Sequence, residues 1–372
     1  MTKITDLLVK DFKMEQIRKQ FPLLNHSIYA NTAATGLLYD DLLEWRQEHD
    51  LDYLIGGSNM KQQSNKMHGE TRKVVGDFFN CESNNVALVP NFTIGLNFLL
   101  EGLNKKEKVL LLKGDYPSLN WPFESRGFDI THLSITKNLE EHIYDTIKTK
   151  GITVLALSVV QWLNGIMIDL SFLKKLKADF KDLLIISDGT QFLGTRSFDF
   201  SSSGIDVIGA SAYKWLLSGY GNGLVLIKEQ AKERFLLTTK GYGSGRNAIE
   251  FDHKRTFCKH LEPGHLDSLS FGSLQFSLEF LQKIGLENID KQNKQLSQKA
   301  KLSFESLDLL DEVVVSRDSH STIFNIKANE KVFNRLLEHE VVCVQRGDGV
   351  RISFHFYNTL KEIDKIIDIL KM

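Results

Sequence analysis

Cysteine is scarce in this chain of 372 residues: there are three, at positions 81, 258 and 343, far apart and odd in number. That excludes a disulfide framework and a paired-cysteine metal site, and makes the cytoplasm the natural compartment. An excess of charge of one sign is missing as well. The 46 Lys and Arg residues against 47 Asp and Glu leave a formal net charge of −1. With no dense basic block, the chain carries no electrostatic footprint for nucleic acid or an anionic membrane, and a small polar substrate fits better. Long apolar runs are absent too. The N-terminus alternates apolar and charged residues, unlike a signal peptide, and nowhere is there a stretch of about 18 apolar residues that would span a membrane. No internal repeat or low-complexity segment appears.

What is present is an ordinary globular composition, 42% hydrophobic and 25% charged, in a chain longer than a single core usually supports. One large domain and a smaller one are expected. Between 85 and 230, short β-rich runs alternate with helix-like segments, the pattern of an α/β domain with a mostly parallel sheet. The runs are 85–90, 109–113, 153–158, 183–187, 206–210 and 224–228, most of them uninterrupted, as in strands buried on both faces. From about 265 the texture turns helical, then strand-like at 321–326, 341–345 and 350–354, which predicts a smaller α+β C-terminal domain. The expected division is an N-terminal segment over 1–40 packing on the other bodies, a large domain over 41–255 and a small domain over 256–372.

Ligands of open α/β sheets gather at the carboxyl ends of the strands, and here those ends carry the polar residues. They are Asn91 to Gly95, then Asp115 to Ser118, then Gln161 and Trp162, then Asp188 to Gln191, then Ser211 to Lys214. Asp188 follows an apolar run, so it is either a site carboxylate or a helix cap. Lys214 stands between aromatic and apolar residues. It is either a snorkelling surface lysine or a buried one, whose lowered pKa would make it a Schiff-base nucleophile.

The region from Ser187 to Lys228 joins Asp188-Gly189-Thr190-Gln191, an apolar strand, and Lys214-Trp215-Leu216 followed by a glycine-rich turn. It resembles the signature region of class V aminotransferases, fold-type-I enzymes that use pyridoxal 5'-phosphate (PLP) and include cysteine desulfurases, kynureninase and isopenicillin-N-epimerase-like proteins. Further matches at Tyr29-Ala30-Asn31, Asn91-Phe92-Thr93, Val160-Gln161-Trp162, Glu262-Pro263-Gly264 and Arg351-Ile352-Ser353 extend the resemblance over nearly the whole chain.

The resemblance implies a fold-type-I transferase in which Lys214 holds PLP and shuttles the Cα proton, while Asp188 pairs with the pyridine nitrogen. It implies Gln191 at the phenolic oxygen and Tyr116 over the ring face, unless Tyr116 is only a turn residue before Pro117. Thr93, Ile94, Ser211 and Tyr213 become the phosphate donors. Gln161 is favoured over Trp162 as a further cofactor contact. Arg351, otherwise a solvated strand charge, becomes the clamp on the substrate carboxylate with Asn31 as helper. A homodimer is implied, with the loop Gly241 to Gly245 near the neighbouring subunit's site.

Departures from the family pattern are also visible. His265 stands after Glu262-Pro263-Gly264 where many relatives have a threonine that reaches the partner's phosphate, so a cross-subunit cofactor role for it stays open. The glycines at 219, 221 and 223 precede a strand, which excludes a dinucleotide loop, and no metal set is evident. Transamination of a small amino-acid-like substrate is the nominal reaction, with epimerisation, desulfuration or deselenation, and passive PLP binding as alternatives. A desulfurase needs a thiol on a loop shortly before the substrate-binding arginine, and the interval from Val344 to Val350 contains none. Cys343 lies in an apolar run and reads as structural, with Cys258 a weaker candidate. The expectation is therefore that the protein is not a cysteine desulfurase.

Overall fold

The computed structural model describes residues 14–245 and 253–372; the beginning of the expected N-terminal segment and part of the 241–260 region lie outside them. The described chain enters through a short strand, β1 (Ile28–Tyr29), and two helices, α1 (Asp40–Gly56) and α2 (Met60–Phe79). Then come β2 (Val86–Val89), α3 (Phe92–Gly102), β3 (Lys108–Leu112), α4 (Pro117–Glu124), β4 (Asp129–Leu133), α5 (Leu139–Lys150), β5 (Val154–Ser158), α6 (Leu170–Asp179), β6 (Leu184–Asp188), β7 (Val207–Ser211) and β8 (Gly223–Ile227). The C-terminal part contains α7 (Ser268–Ile284), α8 (Leu286–Glu305), β9 (Ile323–Ile326), β10 (Val341–Val342), β11 (Val344–Arg346), β12 (Gly349–Ser353) and α9 (Leu360–Lys371).

Seven strands form one sheet in the order β2-β8-β7-β6-β5-β3-β4. All neighbours are parallel except at β8, which runs antiparallel to both β2 and β7. The carboxyl ends of β2, β3, β5, β6 and β7 therefore emerge at one edge. The uninterrupted apolar runs have a simple cause: alternate residues enter different cores. Leu110, Leu112, Leu155 and Leu157 pack on one face, and Val109, Leu111, Val154 and Ala156 on the other. The strand that the sequence reading omits is β4. It is a sheet edge whose half-exposed residues include Asp129 and His132, so it shows no continuous apolar run.

The smaller body is built on an antiparallel sheet of order β11-β12-β9, whose Phe324, Ile326 and Ile352 share a third core with Leu296, Phe304 and Ile366. The single run expected over 341–345 divides at Cys343. Its first half pairs with β1, Ile28 opposite Val341, and its second half forms a hairpin with β12. The N-terminal segment thereby straddles the two bodies, with Phe21 and Tyr39 in the first core and Ala30 in the third. Within 256–372, helix α7 gives Phe271, Leu274, Leu278 and Leu281 to the core of the large sheet, and only from Leu296 onward do the buried side chains of α8 join the third core.

His355, just after β12, joins the bodies. Its Nε2 lies 3.1 Å from the Trp215 carbonyl and its ring meets the Trp215 indole edge-on at 5.0 Å. Nδ1 is buried without a partner among the described residues, so the ring is neutral, with its proton on Nε2. Burial pushes its pKa down to about 3. Because the unfolded chain takes up this proton near pH 6.5 and the folded chain does not, His355 supports folding above pH 6.5 and opposes it increasingly as the pH falls toward 3. Urea denaturation between pH 7 and 4 is expected to show stability falling by up to about 1.4 kcal/mol per pH unit from this residue. That component should vanish in His355→Gln, and an unchanged slope would remove His355 from the account.

Candidate active site

Five loops at the sheet edge bring the site together. Lys214 follows β7 and is buried, with Nζ 5.4 Å from the centre of the Tyr116 ring and 5.6 Å from that of Tyr213. Burial lowers the pKa of this amine, the charge of Asp188 opposes that shift, and Arg351 and Arg346 add to it. The result favours a neutral, nucleophilic amine well below the pH at which a solvated lysine loses its proton. Asp188 ends β6, fully enclosed, where burial raises its pKa while hydrogen bonds from Thr190 and the charge of Lys214 counteract. It is not merely a helix cap. Its Oδ1 accepts the Thr190 N–H at 2.7 Å, and the Thr190 hydroxyl accepts the Ser211 N–H at 3.1 Å, which ties β6 to β7 between the two charged groups.

The turn carrying Lys214 is held from three sides. Gln191 accepts the Trp215 indole N–H at 2.7 Å and donates to the Ala33 carbonyl at 3.0 Å. His355 donates its Nε2–H to the Trp215 carbonyl as described above. Gly36 donates its N–H to the Tyr213 carbonyl at 2.9 Å, and a Cβ placed on it would lie 2.0 Å from the Lys214 carbonyl oxygen. Leu217, buried, ends the turn in the left-handed region at φ 57°, a conformation that costs a leucine energy and that the surrounding contacts enforce.

The helix N-terminus after β2 has an uneven set of partners. Asn91 caps α3, accepting the Ile94 N–H at 3.0 Å, and Ser211 Oγ accepts the Phe92 N–H at 3.0 Å. The Gly95 N–H goes to the Asn91 carbonyl. Among the described residues the Thr93 N–H alone of these has no protein acceptor, while the Ile94 N–H, expected to serve the phosphate, bonds the Asn91 cap. The Thr93 N–H and hydroxyl and the Ser211 hydroxyl proton remain available to an anion.

Gln161, expected as a donor to the cofactor, turns its amide to protein acceptors here. Its amide nitrogen faces Asp115 Oδ2 at 3.1 Å and the Ser158 carbonyl at 3.5 Å, because a buried carboxylate demands the NH2 end. Asp115 is the residue that sequence reasoning missed. It is buried, accepts the Tyr116 N–H at 2.7 Å and the Ser158 N–H at 2.8 Å, and so fixes the loop bearing Tyr116. The signal was its place directly after a strand, beside Tyr116. Trp162 packs its ring edge-on to Tyr116 at 5.8 Å. Tyr220, from the glycine turn, was missed too. It stacks on Tyr213 at 4.4 Å and bonds Thr35 at 2.7 Å.

Arg351 enters from the smaller body. Far from being a solvated strand charge, it is buried, and burial lowers its pKa to about 10. Nη1 donates to the Trp162 carbonyl at 2.8 Å while Nε is buried without an acceptor. Asn31 bridges Ser353, two residues along the same strand, and its Oδ1 is likewise buried and unpaired. The guanidinium edge fits a carboxylate ligand, whereas the Asn31 oxygen can only accept from a donor such as an amine or a hydroxyl. His265 is not brought to this group: it is exposed and stacks on Tyr242 at 5.0 Å. Of the neighbouring motif, buried Glu262 accepts the Leu88 N–H at 2.8 Å and pairs with Arg72, a structural tie between β2 and α2. Among the described residues there is no cluster of His, Cys, Asp and Glu that could hold a metal ion.

A profile of class-V aminotransferases matches residues 28–366 of this chain. A protein of Pyrococcus abyssi named probable cysteine desulfurase is 23% identical, with 96% of each chain covered. An uncharacterized aminotransferase of Schizosaccharomyces pombe is 22% identical, again with 96% of each covered. Among solved structures, the apo cysteine desulfurase of Thermococcus onnurineus superposes with a TM-score of 0.82 at 20% identity, covering 96% of this chain and 97% of that one. The fold is thus that of the fold-type-I enzymes, as expected from the sequence.

The close approach at Gly36 generates a stability test. Gly36→Ala is expected to cost about 1–3 kcal/mol, because the lysine turn has no room to give. Gly69→Ala, in the interior of α2 with nothing within 4 Å of the added Cβ, is expected to be neutral or to gain about 1 kcal/mol. Urea midpoints measure both, and a Gly36→Ala protein as stable as wild type would show that the turn is not clamped there.

Proposed function

The chain belongs to the class-V aminotransferase family, and from that premise we propose that it is an enzyme that holds PLP at Lys214 and acts at the amino group and Cα of a small amino acid, nominally by transamination. The observation that carries this reading is a buried Lys214 whose charge is disfavoured, within electrostatic reach of a buried Asp188 and of a buried Arg351 whose Nε has no acceptor among the described residues. PLP, when bound, supplies a sink for the electron pair left at Cα as its proton departs.

The protein's own groups do the rest. Lys214, as a neutral amine, takes the proton from Cα and returns it, to the same atom or an adjacent one. Asp188 keeps a proton on the ring nitrogen through charge, with Thr190 holding the carboxylate in place. Thr93, Ser211 and the Tyr213 hydroxyl would hold the phosphate, and Tyr116, its loop fixed by Asp115, would supply an aromatic face to the ring. Gln191 reaches the phenolic oxygen only with the amide hydrogen that Ala33 does not use. Arg351 and Asn31 orient the substrate by its carboxylate. The same proton transfers serve epimerisation, and the return site of the proton decides between the two.

The names of several curated relatives favour a second reading, cysteine desulfuration. That chemistry needs a thiolate able to reach the substrate sulfur. All three cysteines are free, and burial pushes the pKa of each up to about 12. Cys343 packs into the core of the smaller body and Cys258 bonds the Asn84 carbonyl in another. Thiols buried in this way and held protonated favour chemistry at the amino group.

We also propose a homodimer in a reducing cytoplasm, with the 241–245 loop and His265 facing the partner. The support is the exposed Tyr242–His265 stack and the three free thiols. Sedimentation is expected to give twice the chain mass, and a fully active monomer would overturn the dimer.

The functional reading predicts that the purified protein carries a visible chromophore fixed covalently by borohydride, and that peptide mapping finds the label on Lys214. Lys214→Ala loses the covalent label; a label retained on another lysine refutes the assignment. Asp188→Asn is expected to bind PLP yet lose about 100-fold or more in turnover with its best amino acid, since the charge aimed at the ring nitrogen is gone. Near-normal turnover would remove Asp188 from that role.

A further inference from the structure

We propose that Arg346 reads a second negative charge on the substrate, so that the amino acid this site takes is one whose side chain ends in a carboxylate. The inference rests on the reading above and adds the substrate class.

The hairpin register carries it. Arg346 faces Gly349 and Val344 faces Arg351 across the β11–β12 pair, so Arg346 and Arg351 are diagonal neighbours on one face of the hairpin. The hairpin end is docked. Asn325 donates to the Arg346 carbonyl at 2.8 Å, Gly347 packs against Leu163, and Arg351 donates to the carbonyl of Trp162 beside it. The Arg351 guanidinium therefore meets the loop whose Trp162 ring touches Tyr116, which in turn flanks Lys214, and Arg346 stands on the same hairpin face beside it.

Arg346 is exposed, and its guanidinium makes a single hydrogen bond, to the carbonyl of the preceding Gln345 at 3.2 Å. Among the described residues no carboxylate pairs with it within 4.0 Å, not even Asp348 in the same turn. Its positive charge is felt at both Lys214 and Arg351. Two guanidinium groups thus share one face of the hairpin, on the side from which Arg351 enters the site. A monocarboxylate bound to Arg351 would leave the second guanidinium uncompensated. A dicarboxylic amino acid, bound at Arg351 through its α-carboxylate and at Arg346 through its side chain, neutralises both, and guanidinium is the group best shaped for that task. A neutral isostere of the same size gains only the first contact.

The test uses the purified PLP-loaded enzyme and the protein freed of PLP. In the loaded enzyme, half-saturation of the amino-acid-induced absorbance change is expected at about tenfold lower concentration for L-aspartate or L-glutamate than for L-asparagine or L-glutamine. In Arg346→Gln that ratio is expected to fall to about one, and in Arg346→Lys to be partly retained. In the PLP-free protein, succinate or glutarate should raise the melting temperature more than butyrate does, and Arg346→Gln should abolish the difference. If neutral amino acids shift the spectrum as readily as acidic ones, or the ratio survives in Arg346→Gln, the proposal falls while the PLP reading stands. If no amino acid perturbs the spectrum of the loaded enzyme, the PLP reading falls and the proposal with it.

Discussion

The site depends on the exclusion of water from Lys214 while a carboxylate is kept within its electrostatic reach. A solvated lysine is charged and a poor nucleophile; desolvation disfavours the charge and frees the nitrogen lone pair. Unopposed desolvation would be costly, and the buried Asp188 offsets part of it. Each group thus makes the burial of the other tolerable. The clamps on the lysine turn, from Gly36, Gln191 and His355, keep that geometry fixed.

Buried carboxylates recur as organising groups in the large body, and each is satisfied by backbone N–H groups of a neighbouring strand or loop. Asp115 joins the loops after β3 and β5. Asp206 accepts the Ile185 N–H at 2.9 Å and pairs with Lys177 at 2.8 Å, and Glu262 takes the Leu88 N–H. Acceptors of this kind align strand ends by charge-assisted bonds, where ladder hydrogen bonds have stopped. Of these, Asp115 acts at the site edge of the sheet, while Asp206 braces the opposite ends of β6 and β7.

The smaller body supplies what the large one lacks, a cationic face opposite the lysine. Its contribution reaches the site through pairing rather than through a hinge alone. β1 from the N-terminal segment pairs with β10, Asn31 bridges Ser353, and His355 meets Trp215. Any relative motion of the bodies would have to carry Arg351 with the strand that also holds Asn31. Arg351 Nε, a donor, and Asn31 Oδ1, an acceptor, are both buried there without a partner among the described residues.

The sequence by itself determined most of the architecture. Strands buried on both faces must be apolar throughout, so β2, β3, β5, β6, β7 and β8 stood out as uninterrupted runs, and the polar residues after them had to lie at the sheet edge. It also determined the family, because Asp188, Gln191 and Lys214 recur at a spacing set by one strand and its turns. Edge strand β4 escaped, since a strand covered on one side needs no apolar run, and so did the break at Cys343, where two short pairings share one apolar stretch. What only the tertiary structure decided was the use of each polar atom. The chain order does not reveal that Gln161 bonds Asp115, that the Ile94 N–H bonds Asn91, or that Gln191 bonds both Trp215 and Ala33. Such commitments depend on neighbours far apart in sequence, and hydrogen-bonding capacity is limited: a donor turned toward one buried acceptor is not available to another.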